Sequence, residues 1–489
     1  MSCKIVINDE VNIKIEGLPV DVRRKIANNL KWEVPYARYL PQYKLGRWDG
    51  KIGFFGLGGS GFVNHLDKIL ELLNKQGVEV GSIEDNRKKY DLKFLPIDKN
   101  YFGNKTWPKG HICEGQKIVL RDYQVDVVNN FIKQPQSLQE VATGAGKTIV
   151  TACLSSLCER LGRTVVIVPN KSLVTQTEED YVNVGLDVGV YFGDRKELNK
   201  THTICTWQSL NVLDKKAKAG QSTLSLTEFL SGVQTLIIDE VHQAKADVLK
   251  RLLTGPFAHC QIRWGLTGTV PKEDYEFMGI KCSIGNVTHR IPAKELQDKG
   301  VLANCHVNVL QTQDHPMFKN YPQELKWLTT DSTRMTWIAQ TIKDISSSGN
   351  TLILVDRISA GEILQKKLKN SVFISGSTKN LERKEHYDEV STAQSKIIIA
   401  TYGVASVGIN IPRIFNLVLI EPGKSFVRVI QSIGRGIRKA EDKDHVQIWD
   451  ITSSCKFAKR HLTQRKKFYK EANYPYTIEK IDYENPYTR

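Results

Sequence analysis

Val141-Ala-Thr-Gly-Ala-Gly-Lys-Thr148 places Gly144, Gly146, Lys147 and Thr148 in the order of a phosphate-binding loop, and a helical pattern opens immediately after it. Glycines let the backbone turn its N–H groups onto phosphate oxygens, so Thr143, Gly144, Ala145 and Gly146 read as the cradle. Lys147 supplies a point charge for the β- and γ-phosphates, and Thr148 offers a hydroxyl to Mg²⁺. Val141 departs from the pattern, standing where Gly or Ala is usual. A matching pair of acids follows in Thr235-Leu-Ile-Ile-Asp-Glu-Val-His242. A buried strand that ends in two carboxylates is costly unless a cation sits there. Asp239 therefore reads as the Mg²⁺ ligand and Glu240 as the group that polarises an attacking water. His242, two residues on, is placed to bond across to a neighbouring strand end.

Working outward, short β-branched runs at Thr164–Val168, Leu236–Ile238, Leu352–Val355, Lys396–Ala400 and Leu417–Ile420 have the length and continuity of strands buried on both faces. Amphipathic stretches at Thr148–Leu161, Ala360–Leu368 and Phe426–Ile437 alternate with them, which predicts an α/β fold of parallel sheets with crossover helices. The chain of 489 residues is long enough for about three domains. A turn-rich stretch, Asn100–Gly110, predicts a boundary near residue 113. A short capped helix ending at Gly300 predicts the join between two α/β domains. The expected division is 1–113, a small α/β domain; 114–300, the first phosphate-loop domain; 301–455, a second domain of the same kind; and 456–489, a basic C-terminal tail.

Composition narrows the function classes. Hydrophobic residues at 40% and charged residues at 25% are those of an ordinary globular chain, and the net charge of +16 favours a polyanionic partner. No apolar run approaches the roughly 20 residues of a membrane span, so a soluble, cytoplasmic protein with no membrane partner is expected. Nine scattered cysteines without a C-x-x-C pair argue against both a disulfide framework and a zinc site.

Two further segments extend the nucleotide reading. In Leu120-Arg-Asp-Tyr-Gln124, Gln124 can present a donor and an acceptor to an adenine edge, with Arg121 beside it; an ordinary capped helix accounts for the same residues. Gln431-Ser-Ile-Gly-Arg-Gly-Ile-Arg438 places Arg435 and Arg438 three apart, on one face if the segment is helical, as two guanidiniums converging on a triphosphate require. A solvated basic face is the alternative.

Taken together the segments resemble a superfamily 2 helicase or translocase. Val168–Gln176 looks like motif Ia, Thr206-Trp-Gln-Ser209 like motif Ic, Leu266-Thr-Gly-Thr269 like motif III, Ile374–Thr378 like motif IVa and Ala400–Asn410 like motif V, in order from about residue 116 to 451. The resemblance implies two tandem RecA-like domains that clamp ATP with Mg²⁺ and grip one nucleic-acid strand. It implies Gln431, Arg435 and Arg438 as catalytic groups alongside Lys147, Asp239 and Glu240, and Gly408 on the nucleotide. Coupling would pass through His242, Thr267 and Thr269, and Lys171, Thr206, Gln208 and Thr401 would contact the strand. Asn410 stands where Asp often follows the glycine. Motif II reads D-E-V-H, which points towards DNA-associated members.

The start narrows the resemblance. Ala37-Arg-Tyr-Leu-Pro-Gln-Tyr-Lys-Leu-Gly-Arg-Trp-Asp-Gly-Lys51 is similar to the leading domain of phage UvsW-type recombination helicases, which implies binding of duplex or branched DNA. The residues themselves interleave Arg38, Lys44, Arg47 and Lys51 with Tyr36, Tyr39, Tyr43 and Trp48, cations beside rings that can stack on unpaired bases. An aromatic mini-core decorated by solvated charges is the other account. The first 110 residues carry 19 Lys+Arg against 13 Asp+Glu. Gly56-Leu-Gly-Gly-Ser-Gly61 satisfies a dinucleotide fingerprint but reads as a loop, because one βαβ unit cannot supply both halves of a dinucleotide fold. Lys456–Lys470 carries seven Lys/Arg and no acid, and reads as a helix contacting DNA backbone, His461 included; a solvated helix packed on the second motor domain is the alternative. The activity expected is ATP-dependent unwinding and branch migration of forked or junction DNA, 3′ to 5′, by a monomer. A motor subunit of a restriction complex and an RNA helicase are the alternatives.

Overall fold

The computed structural model describes residues 1–109, 114–245, 247–378, 382, 385–387, 389–390, 393–406, 411, 413–440 and 442–484. The chain divides into two compact bodies, one of Met1–Glu140 with Gly146–Arg290, the other of Ile291–Arg489 with Val141–Ala145.

The first body begins with six strands: β1 (Ser2–Ile7), β2 (Asn12–Glu16), β3 (Lys31–Glu33), β4 (Lys51–Gly53), β5 (Ser60–Phe62) and β6 (Glu79–Asp85). Four of them form a mixed sheet in the order β5-β2-β1-β6, and β3 pairs with β4 in a separate antiparallel ribbon. Alternation along β1 and β2 sends Ile5, Ile7, Ile13 and Ile15 into a core closed by the helices Val20–Asn29 and Leu66–Lys75. The glycine-rich stretch at 56–61 turns from β4 into β5, which itself holds Ser60 and Gly61, and both strands pair antiparallel, β4 with β3 and β5 with β2, so the parallel βαβ geometry of a dinucleotide site does not form. Gly59 turns there with φ 89, and a Cβ would meet the Ile15 carbonyl oxygen at 2.3 Å.

This small domain is docked on the sheet that follows. The Asn12 amide donates to the Thr254 carbonyl at 2.9 Å, the Glu10 N–H to Ala258 at 3.0 Å, and the Gln136 amide to the Glu10 carbonyl at 2.7 Å.

The large sheet of the first body contains β7 (Gln136–Val141), β8 (Arg163–Val168), β9 (Val188–Phe192), β10 (Arg195–Lys196), β11 (His202–Thr206), β12 (Val233–Ile238), β13 (Ile262–Thr267) and β14 (Val287–Ile291), in the order β10-β9-β11-β8-β12-β13-β7-β14. Five pairings from β9 to β7 are parallel. Helices such as Lys147–Cys158 and Trp207–Lys218 bury their apolar faces on it, which is why β8, β12 and β13 are apolar almost throughout. Register places Thr267 opposite Glu140 and Gly265 opposite Ile238, so β7, β13 and β12 end at one level. The ends of open parallel strands are where such folds place ligands.

The second body holds β15 (Asn304–Thr312), β16 (Thr351–Val355), β17 (Ser371–Ile374), β18 (Ile397–Thr401), β19 (Asn416–Ile420), β20 (His445–Ser453) and β21 (Tyr476–Ile481) in a wholly parallel sheet, β17-β18-β16-β19-β20-β15-β21. Of the stretch 456–489, expected as a separate basic tail, the described part 456–484 is instead built into this body. The helix Lys456–Glu471 buries Ala458, Leu462, Arg465 and Tyr469, and β21 pairs with β15. Counting charges concealed this, because Arg465 is not a surface cation. It makes a two-pronged pair with Asp450 at 2.8 and 2.9 Å, fully buried, and Tyr469 donates to the same carboxylate at 2.7 Å. His461 is likewise half-buried against the Tyr321 ring, 4.6 Å between centroids, and burial holds its imidazole down to about 4. Among the described residues no helix is long and apolar enough to cross a membrane, and the described cysteines are free and buried.

Candidate active site

The loop between β7 and the helix Lys147–Cys158 needs two left-handed residues, Gly144 at φ 89 and Gly146 at φ 76, a region only glycine enters cheaply. A Cβ on Gly146 would sit 2.7 Å from the Gln124 amide nitrogen. The turn delivers Lys147 to the level of the β12 and β13 ends. Its Nζ stands 3.6 Å from Glu240 Oε1, with both side chains about nine-tenths buried.

Glu240 follows β12 with φ 52, an unusual backbone for a residue with a side chain. Burial, and next the Glu240 charge, raises the Asp239 carboxyl above the ordinary carboxylate range, while Lys147 pulls it the other way. On the next strand, the Thr267 hydroxyl at the end of β13 lies 3.0 Å from His242 Nδ1, 3.4 Å from Glu240 Oε2 and 3.0 Å from the Thr269 carbonyl. His242 Nδ1 is itself 3.3 Å from Glu240 Oε2. Thus Lys147, Glu240, His242, Thr267 and Thr269, drawn from three strand ends, form one buried polar cluster. Two carboxylates, a lysine and a threonine hydroxyl beside a turn of converging amides can hold a phosphate chain and orient a water.

Residues 117–272 match the family described as type III restriction enzyme, res subunit, and residues 333–440 match the helicase conserved C-terminal domain. The chain belongs to the superfamily 2 helicases. This helicase is 24% identical to the ATP-dependent DNA helicase uvsW of Enterobacteria phage T4 over 96% of its own length and 94% of the relative's. It is also 24% identical to the DNA 3'-5' helicase XPB of Kineococcus radiotolerans, covering 74% of this chain and 65% of that one. Among solved structures, the ATP-dependent type ISP restriction-modification enzyme LlaBIII bound to DNA superposes with a TM-score of 0.55 at 14% identity, over 87% of this chain and 35% of the enzyme. The last likeness carries the fold alone: tandem RecA-like domains.

Within the helicase, Gln124 is 5% exposed and largely committed to backbone. Its carbonyl accepts from the Arg121 N–H at 2.9 Å, and its amide reaches the Gly146 carbonyl at 3.5 Å. Arg121 is exposed, with its guanidinium on the Tyr123 hydroxyl at 2.9 Å. Asp180, which no motif marks, hydrogen-bonds Thr148 and is raised by burial to about 6.

In the second body, the helix Phe426–Gly436 is capped by Ser425 and stops before Arg438, which instead bridges to Leu302. Arg435 and Arg438 therefore do not share a helical face. The reason is local: the buried Lys443, also missed from sequence, donates to the carbonyls of Gly436 at 2.5 Å and Arg438 at 2.8 Å and turns the chain there. The side chains of Gln431 and Arg435, and Gly408 with Asn410, lie outside the described residues.

The strand-contact candidates differ in what their side chains do. Lys171 and Gln208 are exposed, Gln208 reaching the Pro169 carbonyl at 3.5 Å. Thr206 is buried and caps the helix Trp207–Lys218, accepting from the Ser209 N–H at 3.3 Å. Thr401 similarly accepts from the Val404 N–H at 3.4 Å. In the N-terminal domain, Arg38, Lys44, Arg47 and Lys51 are exposed, and Tyr39 is 64% exposed. Trp48 differs: it packs against Val34 and Ala37, and its indole donates to the Lys51 carbonyl at 2.8 Å.

Proposed function

We propose that this chain is an ATP-dependent DNA helicase or translocase that unwinds and branch-migrates forked and junction DNA, moving 3′ to 5′. The observation that carries the reading is the buried Lys147–Glu240–His242–Thr267 cluster at adjoining strand ends. The end-to-end likeness to a phage DNA helicase supports DNA as the substrate, and the relative named as a 3'-5' helicase supports the direction.

The residues fit ATP with Mg²⁺. Two positive-φ glycines ahead of a helix N-terminus make an anion cradle, and Asp239 with Thr148 offers the hard oxygen ligands Mg²⁺ prefers. When bound, Mg²⁺ neutralises charge on the β- and γ-oxygens. Lys147 would hold the phosphate chain and Glu240 would take the proton of the attacking water. His242 and Thr267, with Thr269 beside them, would sense whether Glu240 faces a phosphate. Thr143, Gly144, Ala145 and Gly146 would line the phosphates, with Gln124 and Arg121 towards the base. We assign Gln431, Arg435 and Arg438 to transition-state charge, Gly408 to the nucleotide, and Lys171, Thr206, Gln208 and Thr401 to the strand.

The N-terminal domain, with Arg38, Lys44, Arg47 and Lys51 exposed and Trp48 holding their loop, would grip duplex or branched DNA. ATP hydrolysis and strand displacement on matched fork, four-way junction, D-loop and linear substrates test this. Preference for branched substrates is expected, and equal activity on linear duplex would remove the branch-migration reading. The restriction-enzyme family match favours a second reading, a motor within a restriction complex; co-purification with a nuclease subunit would support it.

A further inference from the structure

The helix Lys456–Glu471 is anchored along one side and charged along the other. Glu324 caps its start, accepting from the N–H groups of Phe457 at 3.1 Å and Ala458 at 2.7 Å. Arg465 and Tyr469 tie its middle to Asp450, and Arg465 also donates to the Gly423 carbonyl at 2.8 Å. At about 100° per residue, the buried Ala458, Leu462, Arg465 and Tyr469 fall on one narrow stripe. Lys456, Lys459, Arg460, Lys467 and Lys470 fall within an arc of about 100° on the far side, and all five are exposed.

Some exposed helical lysines elsewhere in the chain are neutralised by a neighbouring acid of their own helix, whereas Lys215, Lys216, Lys343 and Lys366 stand singly or in twos without an ion pair among the described residues. Lys68 and Lys75 share Glu71 at 2.7 and 2.6 Å, Lys294 pairs with Asp298 at 2.6 Å, and Lys299 with Glu295 at 2.6 Å. Among the described residues, none of the five cations on the C-terminal helix makes an ion pair, and no acid falls between Lys456 and Lys470. An unneutralised row of this kind, held rigid by a buried anchor, is complementary to a regularly spaced polyanion.

We propose that this face of the C-terminal helix is a binding surface for duplex DNA backbone, separate from the strand contacts and from the N-terminal domain. The inference rests on DNA being the substrate. From Lys456 to Lys470 the helix runs about 21 Å, the length of roughly six base pairs, so its cations can meet successive phosphates without reading sequence.

The test uses the full chain and a fluorescent linear duplex without nucleotide, titrated with salt, comparing the wild type with Lys459→Gln/Arg460→Gln/Lys467→Gln. Three lost phosphate contacts should lower the slope of log affinity against log salt by about 2.7, and should weaken binding about tenfold or more, with DNA-free ATP hydrolysis unchanged. The variant Lys459→Arg/Lys467→Arg should bind as the wild type does. An unchanged slope in the triple variant, a loss confined to single-stranded DNA, or a loss shared by the arginine variant overturns the proposal while leaving the motor reading intact. A wild-type chain that binds no duplex overturns both.

Discussion

Lys147 Nζ stands 3.6 Å from Glu240 Oε1, so the one cation of the phosphate loop and the acid after β12 already face each other across the mouth of the cradle. The distance is that of a loose ion pair, suited to a lysine that leaves the acid for a phosphate. Lys147→Ala should abolish DNA-stimulated ATP hydrolysis and leave DNA binding largely intact, as read by phosphate release and anisotropy. Glu240→Gln should retain ATP binding and lose about 10²-fold or more in turnover, the usual worth of a positioned base. Wild-type turnover in that variant would remove Glu240 from the chemistry.

His242 touches both Thr267 and Glu240, the end of β13 and the acid after β12. A His242→Ala chain should therefore keep ATP hydrolysis within about tenfold of wild type while losing most strand displacement. The ratio of base pairs opened to ATP consumed measures this. Parallel loss of both activities would make His242 structural.

Docking of the N-terminal domain should depend on pH through Glu10, whose carboxyl is raised to about 7 by burial, with Arg87 and Arg263 opposing. A folded-state value above the unfolded one means the folded chain binds more protons between about pH 4.5 and 7, so this group's contribution to stability falls as pH rises through that window. Glu10→Gln should flatten that dependence by roughly 1–3 kcal/mol. Thermal melting of both proteins from pH 5 to 7.5 checks it.

Arg465 and Asp450 are both fully buried, and truncating one strands the other's charge. Arg465→Met should destabilise the second body by about 3–5 kcal/mol in chemical unfolding, far more than removal of any exposed cation on the same helix. A loss below about 1 kcal/mol would show the pair to be solvated.

The motor was legible where chemistry is local in sequence. Gly144, Gly146 and Lys147 announce their turn within a few residues, and the apolar runs mark β8, β16, β18 and β19 to within a residue because strands buried on both faces admit little else, while β12 begins three residues before its run, at Val233, where Gln234 and Thr235 interrupt the apolar pattern. What escaped were partnerships between distant groups. Nothing near Arg465 marks it as the partner of Asp450, and nothing near Lys443 shows that it would end a helix before Arg438. Thr206 and Thr401 were readable as polar ends of strands, but whether a hydroxyl caps its own helix or faces outward depends on a rotamer. The docking of the first domain runs through backbone carbonyls of Thr254, Ala258 and Glu10, which any sequence would supply.

The position of β15 at the head of the second body also sets an order of assembly. Among the described residues its neighbours in the sheet are β20 and β21, the two strands of that sheet that come latest in sequence. A ribosome making this protein can release a finished N-terminal domain and first motor sheet early, but β15 must wait with both edges open until β20 and β21 have emerged. The second motor domain thus closes around its own first strand only once β20 and β21 exist, and a chain interrupted short of β20 would present that strand as a bare, sticky edge to its neighbours.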